Sequence, residues 1–392
     1  MSWELPVFSR RQAGGTCPGR AIRPSLARLV VRGACIAALV LAAGCGTAGV
    51  PAFTREEMAA CDPAAPPRNV RILTVNVWSG LTYEGTLWMQ RYEDNREARY
   101  KALVAAIREL EPDIIAIQEA NPLPAFAKRL AADLGYRAVS RVSLGGIRVG
   151  PFGIPWNLRE GKAVLVRKPW TVVDAGASRL DGWGIVTNGI CFHFSETTEA
   201  FLCRAVVNGK PLYLCNVHLH SGPFRGAALD ECLTALSATL DAGQVEEAMA
   251  GVTKGIERRA REIARLAKFV GKTLPADAPA VLLGDFNTTT ESGELDPLSQ
   301  TGWTDSFAAA TPDEDGYTWE PAENPNYRAP GVTPKPYTAL RAMHAGYPNR
   351  IDLILLNGAT PPESIVGSRV VFTPTGGTSP SDHYGVLTTI LW

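Results

Sequence analysis

The chain has 392 residues, 46% hydrophobic and 20% charged, an ordinary globular composition that suits one large domain or two smaller ones. Its 39 basic and 39 acidic side chains are unevenly spread: residues 1–44 hold six Arg, no Lys and one Glu, which leaves 33 basic and 38 acidic beyond them. That remainder, about −5, lacks the strongly basic footprint of a nucleic-acid-binding protein, and no internal repeat or heptad is present.

In chain order, Arg28 and Arg32 precede "GACIAALVLAAGC", an apolar run of about 12 residues ending at Cys45. This is too short to span a membrane and suits the core of a signal peptide. "LAAGC" also resembles the lipobox of bacterial lipoproteins, with Ala42 where Leu is usual; there the Cys becomes the lipidated first residue of the mature chain. Residues 1–44 are therefore expected to be a signal peptide of lipoprotein type. Residues 45–68, rich in Ala, Pro and Gly, are expected to be a tether. The chain would be exported to the cell envelope, lipid-anchored through Cys45 or secreted. A short buried helix is the plainer alternative for the apolar run.

The folded part is expected to span 69–392. "NVRILTVNVW" (69–78) reads as a strand. Tyr100, Leu103, Val104, Ile107 and Leu110 recur at helical spacing over 96–110, and Pro112 stops the helix. "DIIAIQEA" is a strand, and "PAFAKRLAADLG" a helix closed by Gly135. "KAVLVRKPW" and "PLYLCNVHLH" are strands. The Ala-rich stretch 222–250 reads as a helical insert, followed by a helix over "IERRAREIARLAKFVGKT". "APAVLLGDFN", "RIDLILLN", "SRVVFTPT" and "HYGVLTTILW" are strands, and 311–348, rich in Pro, Asn and Tyr, is a long functional loop. Helices alternating with strands early and strands dominating late indicate an α/β architecture with mixed sheets. Five Cys lie beyond Cys45 and none forms a CxxC pair, so a zinc ribbon is not expected. Export makes disulfides possible. Cys191 and Cys203 are spaced to close a hairpin loop, and Cys215 reads as a buried thiol.

The strands share a peculiarity. Asn76 ends the first and Glu119 closes the second. Asn216, His218 and His220 occupy one face of "LCNVHLH" on the period of two. Asp285 and Asn287 close "LLGDFN", Asp352 opens "RIDLILL", and Asp382 and His383 precede the last strand. Any one of these is an ordinary polar strand end; together they describe a single cluster at the rim of a sheet core. Carboxylates with amide oxygens suit a hard divalent cation, His with Asn suits phosphate oxygens, and His beside a carboxylate is a general acid or base. The combination points to metal-assisted attack of water on phosphorus.

In sequence and in order, "TVNVW", "IIAIQEA", "NVHLHSG", "LLGDFNT", "RIDLILL" and "SDHYGV" resemble the endonuclease/exonuclease/phosphatase superfamily, over roughly 69–392. "LREGKAVLVRKPW" and "YTWEPAENPN" resemble two further segments of that family, less specifically. The resemblance implies a four-layer α/β sandwich: two packed mixed sheets flanked by helices, as in deoxyribonuclease I. It implies Mg2+, or Mn2+, held by Glu119 with Asn76 and Asp382. It implies that Asp285 orients and activates water, Asn287 holds a phosphate oxygen and His383 is the acid/base. His218 would stabilise the phosphorane or protonate the leaving oxygen, propped by Glu160, and Asp352 would orient a catalytic His. His220 is outside the family pattern: a substrate contact, a second metal ligand or a satisfied surface imidazole.

The expected activity is metal-dependent hydrolysis of a phosphoric ester, a diester first, by a monomer. Aromatic candidate loops favour a lipid or small-molecule substrate. An exported endonuclease is the alternative, since Arg141, Arg148, Arg159, Lys162, Arg167 and Lys168 would bind a nucleic-acid backbone if they lined the cleft. A binuclear metallophosphatase is disfavoured because neither a DxH on the first strand nor a GHxH is present. A non-catalytic binding module is disfavoured because no acid is missing from the matched positions.

Overall fold

A computed structural model of the chain describes residues 53–392 apart from 60, 63, 329–334 and 375. The expected signal peptide and Cys45 lie outside the described residues. Two six-stranded sheets form the body. One contains β1 (Asn69–Asn76), β4 (Ile114–Ala120), β5 (Tyr136–Leu144), β8 (Glu160–Arg167), β17 (Ile365–Val371) and β18 (Gly385–Leu391), ordered β17-β18-β1-β4-β8-β5. The other contains β9 (Thr171–Asp181), β12 (Thr198–Val207), β13 (Lys210–His218), β14 (Ala280–Asp285), β15 (Thr304–Asp305) and β16 (Asp352–Leu356), ordered β15-β16-β14-β13-β12-β9. The pairs β1–β4 and β13–β14 are parallel within otherwise antiparallel sheets, so both sheets are mixed. A hairpin of β2 (Leu81–Gly85) and β3 (Gln90–Tyr92) stands apart. So does a small sheet of β6 (Ile147–Val149), β7 (Phe152–Ile154), β10 (Ile185–Val186) and β11 (Ile190–Phe192). These strands are too short to show an alternation in the sequence.

Helices cover the outer faces. α1 (Arg55–Ala59) precedes the body, and α2 (Arg96–Leu110) and α3 (Ala125–Leu134) pack on the first sheet. α4 (Ala227–Ser237) leads into α5 (Ala242–Thr273), which seats Ile263, Leu266 and Val270 on the second sheet. The Ala-rich insert and the helix expected after it are thus α4 and one continuous 32-residue α5, started by a capping box between Asp241 and Gln244. Short helices α6 (Asp296–Ser299) and α7 (Ser306–Ala310) follow, and α8 (Pro336–His344) lies within the expected long loop. The segment read as a tether is packed from Phe53 onward: Phe53 stacks edge-on to Tyr213, Glu57 pairs with Arg204, and Asp62 N donates to Gly209 O.

Between the sheets, alternate residues of each strand form one apolar layer, with Ile72, Ala116 and Val164 facing Leu214, Leu283 and Ile354. Two residues further along, that layer turns polar. Gln118 Nε2 donates to Thr74 Oγ1 and Asn216 Oδ1, while Asn216 Nδ2 donates to the carbonyls of Ile117 and Ala163. Asn216 is therefore a sealed bond between the sheets, not part of a ligand-facing row. Cys191 and Cys203 are both free, correcting the disulfide reading: Cys203 is in the inter-sheet core, and Cys191 packs under the small sheet.

Gly284 lies inside β14. Its φ is 139°, and a Cβ there would collide with the Val217 carbonyl of β13. Gly284→Ala must push β13 and β14 apart beside His218 and Asp285. It is expected to cost at least about 2 kcal/mol, read as a lower urea midpoint at unchanged slope; an unchanged midpoint would contradict the close approach.

Candidate active site

The polar layer ends in a row set by strand register. His218 pairs with Asp285 across β13 and β14, and Asp285 with Asp352 across β14 and β16. Residues directly opposite in register share a face, so all three side chains point toward the first sheet. Asn76 at the end of β1 answers from that sheet: its Nδ2 lies 3.2 Å from Asp285 Oδ2 and 3.0 Å from Glu119 Oε1. Its Oδ1 accepts from Trp78 N at 3.0 Å. The amide thus joins two carboxylates through its nitrogen, whereas a metal ligand was expected to present oxygen.

Asp285 is 1% exposed and is the hub. Its Oδ1 accepts from Asn287 N at 2.9 Å, and its Oδ2 lies 3.5 Å from His218 Nε2 and 3.9 Å from His383 Nε2. His383 is oriented through its other nitrogen, with Nδ1 2.9 Å from Asp352 Oδ2. Burial alone would discharge the His383 imidazole, but Asp352, then Asp285 and Asp382, outweigh it and raise its pKa to about 10. Asp352 is itself fixed by Thr318 Oγ1, which accepts from the backbone N–H of Ile351 and of Asp352. Asp285, Asp352 and His383 offer ligand atoms all within 4.8 Å of one another, a donor set that can take a metal ion.

Glu119 and Asp382 form a second acidic pair at the rim, both partly buried. Burial, opposed by His383 and reinforced by Glu119, pushes the Asp382 carboxyl up to about 6. Two neighbouring carboxylates of this kind fit a hard divalent cation, whose charge would relieve their repulsion. Glu119 reaches its position at the cost of a left-handed φ of 55°, where the β4–β8 register shifts between Ile117 and Ala120. Asn287 has the same distortion, φ 52°. Non-glycine residues held there cost about 1–3 kcal/mol each and cluster at functional sites.

Glu160 is placed differently from the reading above, His220 is satisfied by a carboxylate, and Asn287 rests on a backbone carbonyl. Glu160 makes no hydrogen bond to His218; it accepts from Tyr83 OH at 2.9 Å, and burial followed by Glu119 raises its pKa to about 8. His220 Nδ1 lies 2.9 Å from Glu196, which also pairs with Arg258. Asn287 Nδ2 donates to Leu219 O at 2.9 Å. Of the six clustered cations, four have partners within the protein, and Arg148 and Lys162 are buried. Arg141 pairs with Asp174 and Arg167 with Asp113. Arg148 donates to four carbonyls, and Lys162 donates to Ser143.

Sequence reasoning missed the supports. Trp319 packs edge-on to His383 at 4.9 Å, and Asn324 and Asn326 donate to the Ser381 carbonyl. Ser381 Oγ donates to Asn76 O, and the buried Arg99 bonds the carbonyls of Val77, Trp78 and Pro380. The stretch "YTWEPAENPN" signalled the first group; nothing in the pattern of α2 distinguished Arg99.

Comparison with known proteins places the chain in a family. Residues 73–383 match the model of the endonuclease/exonuclease/phosphatase family. No curated protein sequence matches the chain. Among solved structures, a humanized D. rerio TDP2 aligns at 17% identity and TM-score 0.50, covering 83% of this chain and 99% of that one. D. rerio TDP2 complexed with a single-strand DNA product aligns at 17% and 0.50, covering 82% and 98%. An endonuclease/exonuclease/phosphatase from Bacteroides vulgatus also aligns at 17% and 0.50, covering 83% and 100%. At that identity the structures attest the fold, while the match over 73–383 places the sequence: the chain belongs to the endonuclease/exonuclease/phosphatase family, and with it to the phosphoric ester hydrolases.

Proposed function

We propose that the protein is a divalent-metal-dependent phosphodiesterase acting on a lipid or small-molecule phosphoester. The observation that carries this reading is the Asp285 carboxylate set between two imidazoles, 3.5 Å from His218 and 3.9 Å from His383. Glu119 and Asp382 would hold Mg2+ or Mn2+, with Asn76 bracing Glu119 through its amide. Bound there, the cation would polarise a phosphoryl oxygen. Asp285 orients the attacking water and takes its proton. His383, kept charged and aimed by Asp352, and His218 donate to the phosphoryl oxygens and to the leaving oxygen. Asn287 turns from the Leu219 carbonyl to hold a phosphate oxygen. Glu160 and Tyr83 border the same rim, and His220 stands beside it, paired with Glu196.

The burial of Arg148 and Lys162, with the pairing of Arg141 to Asp174 and Arg167 to Asp113, weakens the basic cluster that would favour a polyanion. The structural likeness to a TDP2 bound to single-strand DNA product supports the second reading, an endonuclease. Salt separates the two: a protein that neutralises several DNA phosphates loses roughly 10³-fold in affinity between 50 and 200 mM salt. Hydrolysis of choline phospholipid in micelles, little affected by salt, is expected. Efficient and steeply salt-sensitive plasmid cleavage without lipid turnover would reverse the choice.

Asp285→Ala and His383→Ala are each expected to lower kcat by at least ~100-fold with unchanged far-UV circular dichroism; turnover near that of the wild type in either would sink the mechanism. Glu119→Gln keeps an oxygen but removes the charge, so half-maximal activity should require more Mg2+. An unaltered Mg2+ titration would show that Glu119 is not a ligand.

A further inference from the structure

The small sheet breaks the usual rule for an exposed sheet face. An antiparallel sheet normally turns its polar side to water. Here register aligns Phe192, Ile147 and Ile154 in one row, and Ile190, Val149 and Phe152 in the next. Val149 and Phe152 are 68% and 69% exposed, and Phe192 41%. The alternate positions, Arg148, Cys191 and Gly153, form the inner face. Arg148 there is buried and donates to the carbonyls of Pro151, Pro155, Trp156 and Leu158, so the apolar face is held outward by design of the backbone beneath it.

Indoles frame the face. Trp156 packs against Phe152 and Trp183 against Phe192, and both indoles are exposed. The exposed Trp88 of the β2–β3 hairpin joins through its carbonyl, which accepts from Trp156 N. Both excursions leave the body at the end that carries the site, since Leu144 pairs with Glu160 and Asp181 with Thr198. The hairpin itself reaches the site through the Tyr83–Glu160 bond.

We infer that this face docks on the interface of a phospholipid bilayer and brings the site to lipid phosphoesters; the substrate part rests on the phosphoester reading above. Two observations select this occupant. The charge pattern fits it: residues 182–195 contain no Asp, Glu, Lys or Arg, and 142–158 contain only the buried Arg148. A carboxylate on the face would resist insertion, and the exposed Arg91 and Arg179 beside these segments suit lipid phosphates. Glu84 on β2 is the exception within the hairpin. The area also fits. Four strands about 4.8 Å apart, three of them three residues long and β10 two, cover about 170 Å², far below the about 800 Å² per partner of a stable dimer. Shallow insertion, roughly 5–10 Å deep with aromatics at the headgroup level, needs no more.

The test compares the full chain with its Val149→Ser/Phe192→Ser variant on phosphatidylcholine vesicles, so any contribution of residues 1–52 is common to both. The variant is expected to partition at least about tenfold less and to hydrolyse soluble bis-p-nitrophenyl phosphate with Mg2+ at the wild-type rate. In the wild type, vesicles should slow amide hydrogen exchange in 147–154 and 185–192. Equal partitioning without that protection overturns docking. So does protection that rises with protein concentration in the absence of vesicles, which would assign the face to a second copy. Failure of the wild type to cleave the soluble diester would defeat the phosphoester reading instead, and the exchange data would still decide docking.

Discussion

Everything in this fold converges on one buried carboxylate. Asp285 has almost no contact with solvent, so its charge must be met by neighbours within the protein. Those neighbours come from both sheets: Asn287 N beside it, Asn76 from β1, His218 from β13 and His383 from the turn before β18. Separating the sheets by one residue of register would leave an unpaired charge inside the protein. The sheets are therefore locked in register by the same contacts that assemble the site.

The inter-sheet layer shows how such a site is supported without being exposed. Moving toward the rim along β1, β4, β13 and β14, apolar side chains give way to the sealed Thr74–Gln118–Asn216 set and then to the ionisable row. The sealed set spends its amide donors among the strands of the two sheets and so fixes their spacing, leaving Gln118 Oε1 without a partner. The next layer is the ionisable row around Asp285. Loop 317–327 closes one side by packing Trp319 on His383 and anchoring two Asn side chains to the Ser379–Ser381 backbone.

How much of this was legible depended on the range of the interaction. The central strands and α2 have unbroken periodicity, so their existence and their polar ends could be read from local pattern. The row His218–Asp285–Asp352 could be anticipated as a cluster, because polar residues closing apolar strands must share a rim. Its partners could not. Glu160 and His220 sit where the spacing puts them, but whether each faces His218, Tyr83 or Glu196 depends on residues many positions away. Arg148 and Lys162 looked like a basic patch because a sequence does not show that a cation is buried against carbonyls and a hydroxyl. The small sheet escaped because strands of two or three residues have too few alternations to register.

The two ends of the sandwich differ in what they offer to a membrane. Phe53, Glu57 and Asp62 pack near the β12–β13 turn, on Tyr213, Arg204 and Gly209, while His218 closes β13 at the opposite end. Eight residues of strand rise separate Lys210 from His218, about 26 Å. The apolar sheet leaves from the end of His218. An attachment made through residues preceding Phe53 would hold the end remote from the site. An attachment made through Val149, Phe152 and Phe192 would hold the end that carries it. The first would restrict where the enzyme resides, and only the second would present Asp285 to a lipid headgroup. On the docking proposed above, membrane attachment before Phe53 and presentation of Asp285 to a lipid would fall to opposite ends of β13.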